Sequence, residues 1–500
     1  MTIPHLPMEV WDMIIGFLAT APDTEFPWNG PGGFESLTNA RLVSRRWATT
    51  VDRHLFKVIH LKHSTPPNNA GNGPLGSAQN VAEQEAVFER WTKLCTIPIA
   101  RQTARLVIIN SAPMNVLDDV LRNVWSEWSR YFNNGFFSGF ENAVKRISNW
   151  QLPNLDAVEI HFSDKCQGEF AQGLDVRHTP DIESATARLN TLMLVLNAIL
   201  SRNRKKGIKP ITYLGLKNFQ NMPLDYVPTR RLRAVLQGIQ HLHFHIAVDY
   251  REHRDSILYS WERLGFEPYL QSELLPTAAG HLTTLTLSFN DEWATMPGYF
   301  DGSGLDYPCL ETLHLDLFVI SHDNHLDWVL RIPKLTSLYF TETRIMTLAS
   351  ERLPWGSYGI QLQDTNQAVF SYPGRWSYLF DRIRLELDKL RDFRISWADP
   401  GVFDGTKTPW TTLPRPTIQT DFVDRYVVFE FMTLPVPWTY QKNGGFLNFG
   451  DNDADPNHGR IEEWPNSRHA KIPNPAMVHW VEDDRALEEL RETTKARQPI

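Results

Sequence analysis

The chain has 500 residues and a mass of 57.7 kDa, more than one small core usually holds, so two to four domains are expected. Hydrophobic residues make up 42% and charged residues 22%, which excludes wholesale disorder. A net charge of −8 has the wrong sign for a dedicated nucleic-acid binder, and no apolar run is long enough for a membrane span. Three scattered cysteines, Cys95, Cys166 and Cys309, exclude a disulfide-stapled scaffold and a cysteine-rich zinc module, and suit a reducing compartment.

The first sixty residues read as a helical unit. Residues 8–18 place Val10, Ile14, Phe17 and Leu18 on one face, with Pro7 at the first turn. Glu9 and Asp12 precede the apolar stretch 14–19, which argues against a signal peptide. Residues 21–33 are rich in Pro and Gly and read as a loop. A second helix is expected over 34–45. A third follows over 46–56, with Trp47, Val51 and Leu55 at i, i+4, i+8. Residues 57–61 read as a short strand.

Residues 64–80 hold three Pro, three Gly, four Asn and no charge, so a linker and domain boundary are expected over 61–80. Helices are expected over 81–95, 116–131 and 183–204. The basic run Arg202–Lys209 closes the last of these, and Gly207 near its end is ordinary helix-stop chemistry.

The middle of the chain repeats a phrase, L-x-x-L-x-L with Ile, Val or Phe allowed. Its copies begin at Leu155, Ile211, Ile239, Leu282, Leu310, Leu335 and Leu390. Successive copies stand 56, 28, 43, 28, 25 and 55 residues apart, near one or two leucine-rich-repeat periods in five of six steps. Positions four and six would point into a core from a strand, and each unit would need its neighbours to bury that face. The usual Asn at position nine occurs only as Asn290. The expected architecture for residues 81–400 is therefore an irregular, leucine-rich-repeat-like α/β solenoid, a horseshoe. Residues 401–500 are expected as a capping extension, partly irregular, with a strand over 424–433, loop over 451–475 and a charged helix over 481–497.

The opening motifs, Leu6-Pro7-Met8-Glu9-Val10, then Ile14 and Leu18, then Leu37, then Ala40 to Trp47 (ARLVSRRW), then Val51 and Leu55-Phe56, resemble an F-box. With the repeats behind it, the chain is similar to the F-box and leucine-rich-repeat proteins. That resemblance implies a three-helix F-box over residues 1–60 that binds a Skp-type adaptor of a cullin-RING ubiquitin ligase. The adaptor-facing residues would be Leu6, Pro7, Val10, Ile14, Leu18, Leu42, Val43 and Trp47, with Ile14 and Leu42 the most core-like. It also implies a second domain that captures a protein substrate, in the cytoplasm and/or the nucleus. Such a subunit is no enzyme: it raises the local concentration of a target lysine. Independently of the resemblance, so short a helical unit cannot bury all its large apolar groups, and a partner is a natural cover.

If positions four and six of each phrase point inward, positions three, five and seven form the concave face. Five of those 21 positions are His: His161, His241, His243, His245 and His314. Asp316, Tyr339 and Arg394 share that face. A His-rich face suits an acidic or hydrogen-bonding partner, with affinity rising below about pH 6.5. His241, His243 and His245 stand at i, i+2, i+4 on one strand, so a metal-dependent enzyme is a competing reading. A scaffold serving no ligase is another. No GxSxG, HExxH or helix-opening GxGxxG occurs, and the 401–408 segment misses the P-loop spacing. No cofactor, metal, nucleic acid or membrane is expected.

Overall fold

The computed structural model describes residues 10, 37, 39–63, 78–111, 138–163, 166, 183, 185–247, 261–295, 298–350, 369–396, 425–429, 436–437 and 475–498. The chain divides into two compact units. One comprises Met1–Gln220, Asp225–Tyr250 and Asp399–Arg415, the other Asn221–Leu224, Arg251–Ala398 and Pro416–Ile500.

The first unit opens with α1 (Arg45–Leu55), followed by β1 (Val58–Leu61), α2 (Ala78–Leu94), α3 (Pro98–Thr103), β2 (Leu106–Asn110), α4 (Ser138–Lys145), β3 (Ala157–His161), α5 (Ala185–Asn203), β4 (Tyr213–Gln220), α6 (Tyr226–Leu236) and β5 (His241–Ala247). The five strands lie in chain order, each parallel to the next, with Val58, Leu106, Ala157, Tyr213 and His241 in register. Helices on the connections are what parallel pairing requires.

The second unit holds α7 (Trp261–Tyr269), which widens through a π turn at Leu270–Leu274 into α8 (Leu275–Ala279). Pro268, inside α7, lacks the N–H of a regular turn. Then come β6 (Thr284–Phe289), β7 (Thr312–Asp316), β8 (Val319–Ile320), α9 (Asp327–Leu330), β9 (Ser337–Thr341), β10 (Arg344–Ser350), β11 (Val369–Ser371), α10 (Trp376–Glu386), β12 (Asp392–Ser396), β13 (Tyr426–Phe429), β14 (Val436–Pro437) and α11 (Pro475–Ala496). Strands β6, β7, β9 and β12 are parallel, in register at Thr284, Thr312, Ser337 and Asp392. A smaller mixed sheet runs β11-β10-β13-β14, with β8 beside β10.

All seven repeated phrases enter a parallel strand at their third residue. Positions one, four and six are buried in every copy, from Leu155, Val158 and Ile160 to Leu390, Phe393 and Ile395. The eighth residue of three copies, Asn218, Leu317 and Glu342, has a left-handed backbone: Leu317 and Glu342 turn the chain out of β7 and β9 without glycine, whereas Asn218 lies within β4, where the register with β5 shifts between Leu216 and Phe219.

Two expectations are overturned. The chain forms an α/β arrangement of nine parallel strands with helices, five strands in one unit and four in the other, and no leucine-rich-repeat-like solenoid or horseshoe is shown. A horseshoe leaves one strand face open. Here β2, β3 and β4 are buried at every position, as in parallel sheets covered on both faces. Nor is a three-helix F-box shown: α1 is the one complete helix within the first sixty residues among those described. Residues 78–80, expected as linker, already belong to α2. The helix expected over 116–131 and the loop over 451–475 lie outside the described residues, apart from the helical residue 475.

One side chain organises the entry to β3. Arg202, fully buried in the last turn of α5, donates to the carbonyl oxygens of Ile147, Leu152, Pro153, Leu155 and Lys209 at 2.8–3.3 Å. Burial lowers its pKa to about 10, so it remains a cation at neutral pH.

Candidate functional site

The segment that carries the F-box resemblance has a small core of its own. Leu37, Ala40 and Val51 are buried together, and Trp47 and Leu55 pack against them. Ser44 caps α1, its Oγ accepting the Trp47 N–H at 3.2 Å. Arg41 Nε pairs with Asp52 Oδ1 at 2.7 Å. The i, i+4, i+8 stripe of Trp47, Val51 and Leu55 is thus largely used inside the chain.

Leu42 and Val43 are not used there. The backbone turns at this point, with Leu42 N–H bonding Asn39 O at 3.0 Å and Val43 N–H bonding Ala40 O at 3.2 Å. Both side chains project away from the core and are 82% and 64% exposed. Leu42, expected as a core residue, is therefore a surface residue. Trp47 and Val10 are half-buried. Leu6, Pro7, Ile14 and Leu18 lie outside the described residues.

The expected substrate face is buried at His161, His243, Asp316 and Tyr339 and half-buried at His241, His245, His314 and Arg394. In the first unit, His161 Nε2 lies 2.7 Å from Glu159 Oε2, and the Tyr213 hydroxyl donates to Glu159 Oε1 at 2.9 Å. The Tyr213 ring lies 4.9 Å from that of His243 and 6.4 Å from that of His241. The Asn218 N–H donates to His245 Nδ1 at 3.4 Å. Glu159, His161 and His243 are buried, and His241 and His245 are half-buried.

Burial dominates the titration of two of these rings. It lowers the pKa of His161, against the raising effect of Glu159. His245 is pushed down to about 3 by burial and by the charges of Lys217 and His161. His161 and His245 therefore take up a proton less readily than an exposed imidazole. Among the described residues no group of three or more His, Cys, Asp or Glu side chains could hold a metal ion. The trio at 241, 243 and 245 follows one strand without converging.

In the second unit, His314 Nε2 lies 2.8 Å from Thr341 Oγ1, and burial lowers its pKa to about 4. Asp316 Oδ2 accepts the Ser288 hydroxyl at 2.6 Å. The Tyr339 hydroxyl donates to Asp392 Oδ2 at 2.8 Å, and Arg394 Nε donates to Asp392 Oδ1 at 2.9 Å. Arg344 bridges Glu292 and Glu342 beside these strand ends. Each expected candidate is thus held by neighbours within its own unit.

Several important polar groups escaped the sequence reading. Glu183, completely buried, accepts the Ser163 N–H at 2.9 Å and pairs with Arg188 Nε at 3.1 Å. Asp483 joins Arg425 and Tyr426 in another buried cluster. Their partners lie far apart in sequence, and no local motif marks them. Cys95 is an inert thiol, pushed up to about 12 by burial. No helix among the described residues is long and apolar enough to cross a membrane. No protein-family model matches the chain, and no curated protein matches it.

Proposed function

We propose that the chain is a non-catalytic substrate receptor of a Skp-cullin-F-box type ubiquitin ligase, acting in the cytoplasm or nucleus. The turn before α1 and the outer face of Trp47 would engage the Skp-type adaptor, and the α/β units would hold a protein substrate. One observation carries the reading. Within the motif that resembles an F-box, Leu42 and Val43 stand side by side in water at 82% and 64% exposure, while the neighbouring apolar stripe is buried. Adjacent exposed apolar residues on a small helical element are covered most economically by a partner.

Co-purification with a Skp-type adaptor tests it. The wild-type chain should retain the adaptor, and Val43→Asp should release it. Transferring an uncompensated carboxylate into an apolar contact costs several kcal/mol, and about 4 kcal/mol is a thousandfold loss. Wild-type adaptor affinity in Val43→Asp, or none in the wild-type chain, would refute the assignment.

A further inference from the structure

The entry to β3 gathers three further cations, Arg101, Arg105 and Arg146, beside the basic run Arg202–Lys209. The turn over residues 146–156 receives cations from three directions. Arg101, in α3, donates to Gln151 O at 3.2 Å, and Arg105 donates to Asn154 O at 3.1 Å. Arg146 donates to Gln151 Oε1 at 3.4 Å. From the end of α5, Lys205 donates to Ser148 O, and Arg202 binds five carbonyl oxygens. Arg204 and Lys206, exposed, flank Lys205.

These contacts hold the cations without neutralising them. The partners are carbonyl and amide oxygens. Among the described residues the one carboxylate paired with this group is Asp156, 3.4 Å from Lys209 Nζ. Helix C-termini explain only part of the charge. Each contributes about half a negative charge, and three helices, α3, α4 and α5, end here. Against that stand eight cations, Arg101, Arg105, Arg146, Arg202, Arg204, Lys205, Lys206 and Lys209, in a chain whose net charge is −8.

Trp150 projects from the middle of this group and is 56% exposed. It is held in place. Gly207, with φ of +86°, leaves room for the indole edge, and a Cβ there would lie 3.1 Å from Cη2 and Cζ3 of Trp150. A half-open indole packed on the glycine of a basic run has the composition of an interface anchor.

We propose that this surface docks a short acidic segment of a partner polypeptide, with an apolar side chain seated against Trp150 and carboxylates facing Arg204, Lys206 and Lys209. A short segment fits better than a nucleic-acid strand. The rest of the chain carries a negative charge larger than the net −8, which repels a long polyanion beyond the patch. Arg202 also has its whole guanidinium engaged on this chain's own carbonyls, and Arg101, Arg105 and Arg146 each spend one donor there, which leaves fewer bidentate forks to read phosphate and bases. The inference deepens the receptor reading by naming a substrate class, and rests on that reading only for the fate of the docked partner.

The test uses the full chain and a short fluorescein-labelled peptide of glutamates around one central phenylalanine, with binding followed by fluorescence anisotropy. Saturable binding that weakens with added salt is expected. Lys206→Glu combined with Arg204→Glu should weaken it by about tenfold or more, and so should Trp150→Ala. These side chains are exposed, so circular dichroism and thermal midpoint should stay at wild-type values. Absent binding by the wild-type chain, unchanged affinity in both variants, or equal affinity for a single-stranded oligouridylate would overturn the proposal. Adaptor retention measured on the same preparations separates the two ideas: losing one does not require losing the other.

Discussion

Asp483 on the last helix caps the N-terminus of another helix: its Oδ1 accepts the Ser377 N–H of α10 at 2.8 Å. Its Oδ2 meanwhile accepts the Tyr426 hydroxyl at 2.9 Å and Arg425 Nη1 at 3.1 Å. One fully buried carboxylate therefore ties α11, α10 and β13 together within the second unit, and shares the charge compensation of Arg425 with Asp484, 3.4 Å from Arg425 Nη2.

Asp483→Ala should destabilise the second unit by about 2–4 kcal/mol, because Arg425 loses its buried partner and keeps only the half-exposed Asp484, 3.4 Å from its Nη2. Asp483→Asn should cost less, since an amide oxygen can still cap α10. Urea denaturation followed by circular dichroism checks both, and equal midpoints for wild type and Asp483→Ala would contradict the account.

Two glycines separate backbone strain from crowding. Gly302 has φ of +63°, and a Cβ there would lie 2.2 Å from Trp328 Cγ, whereas Gly304 has φ of +79° with nothing within 4 Å. Gly304→Ala should cost only the left-handed backbone penalty, about 1–2 kcal/mol. Gly302→Ala adds overpacking against a buried indole, about 1–3 kcal/mol more. The difference between their denaturation midpoints measures the crowding alone.

The pH dependence of stability should combine two opposing trends. His325 Nδ1 accepts the Ser321 N–H at 3.1 Å and its Nε2 lies 2.8 Å from Phe300 O, a neutral ring with both nitrogens used. Burial lowers its pKa from 6.5 to about 4. Its contribution is present above pH 6.5 and lost as pH falls toward 4, because the unfolded chain binds the proton first. Asp316 is opposite. Burial raises it from 3.8 to about 7, so its contribution is full below 3.8 and lost as pH rises toward 7. His60, His63 and His314 are also lowered to about 4, so acidification should destabilise overall. Between pH 5 and 6, stability should rise less steeply with pH in His325→Gln and more steeply in Asp316→Asn. Each change should approach one proton, about 1.4 kcal/mol per pH unit. Parallel stability curves for all three proteins would exclude these two groups as contributors.

Two residues of the adaptor-facing segment should respond differently in isolation. Val43 makes its case on the surface, so Val43→Asp should change the thermal stability of the chain by no more than about 0.5 kcal/mol. Trp47 packs on Leu37, Ala40 and Val51, and Trp47→Ala should cost about 2–4 kcal/mol of local stability. Differential scanning calorimetry without adaptor distinguishes them. A destabilised Val43→Asp would mean that this side chain is already covered.

Sequence periodicity located the strands well because their inward residues are local and regular. The seven phrases from Leu155 to Leu390 each lead into a parallel strand. β2 carries the same rhythm through Val107 and Ile109 but begins at Ala104, a side chain too small to register in a search for large apolar groups. The other strand face was illegible. Glu159 and His161 are polar and alternate with apolar neighbours, which resembles a solvated face. Their burial depends on Tyr213, 54 residues from Glu159. The same limit hid the company of the basic run Arg202–Lys209, which was legible by itself, since the turn beside it also gathers Arg101, Arg105 and Arg146. In the opening segment, Leu42 and Val43 fall within a helical-looking run, and only the turn there determines which way they point.

Arg202 behaves toward its five carbonyl oxygens much as a calcium ion behaves toward a binding loop, with one difference: it cannot dissociate. Chelators and reductants therefore have nothing to remove. The turn it holds should open only when the end of α5 unwinds, so amide protection there should report on the helix rather than on the loop. Any ligand that relies on the shape of this turn would inherit a rigidity fixed at synthesis instead of one regulated by ion supply.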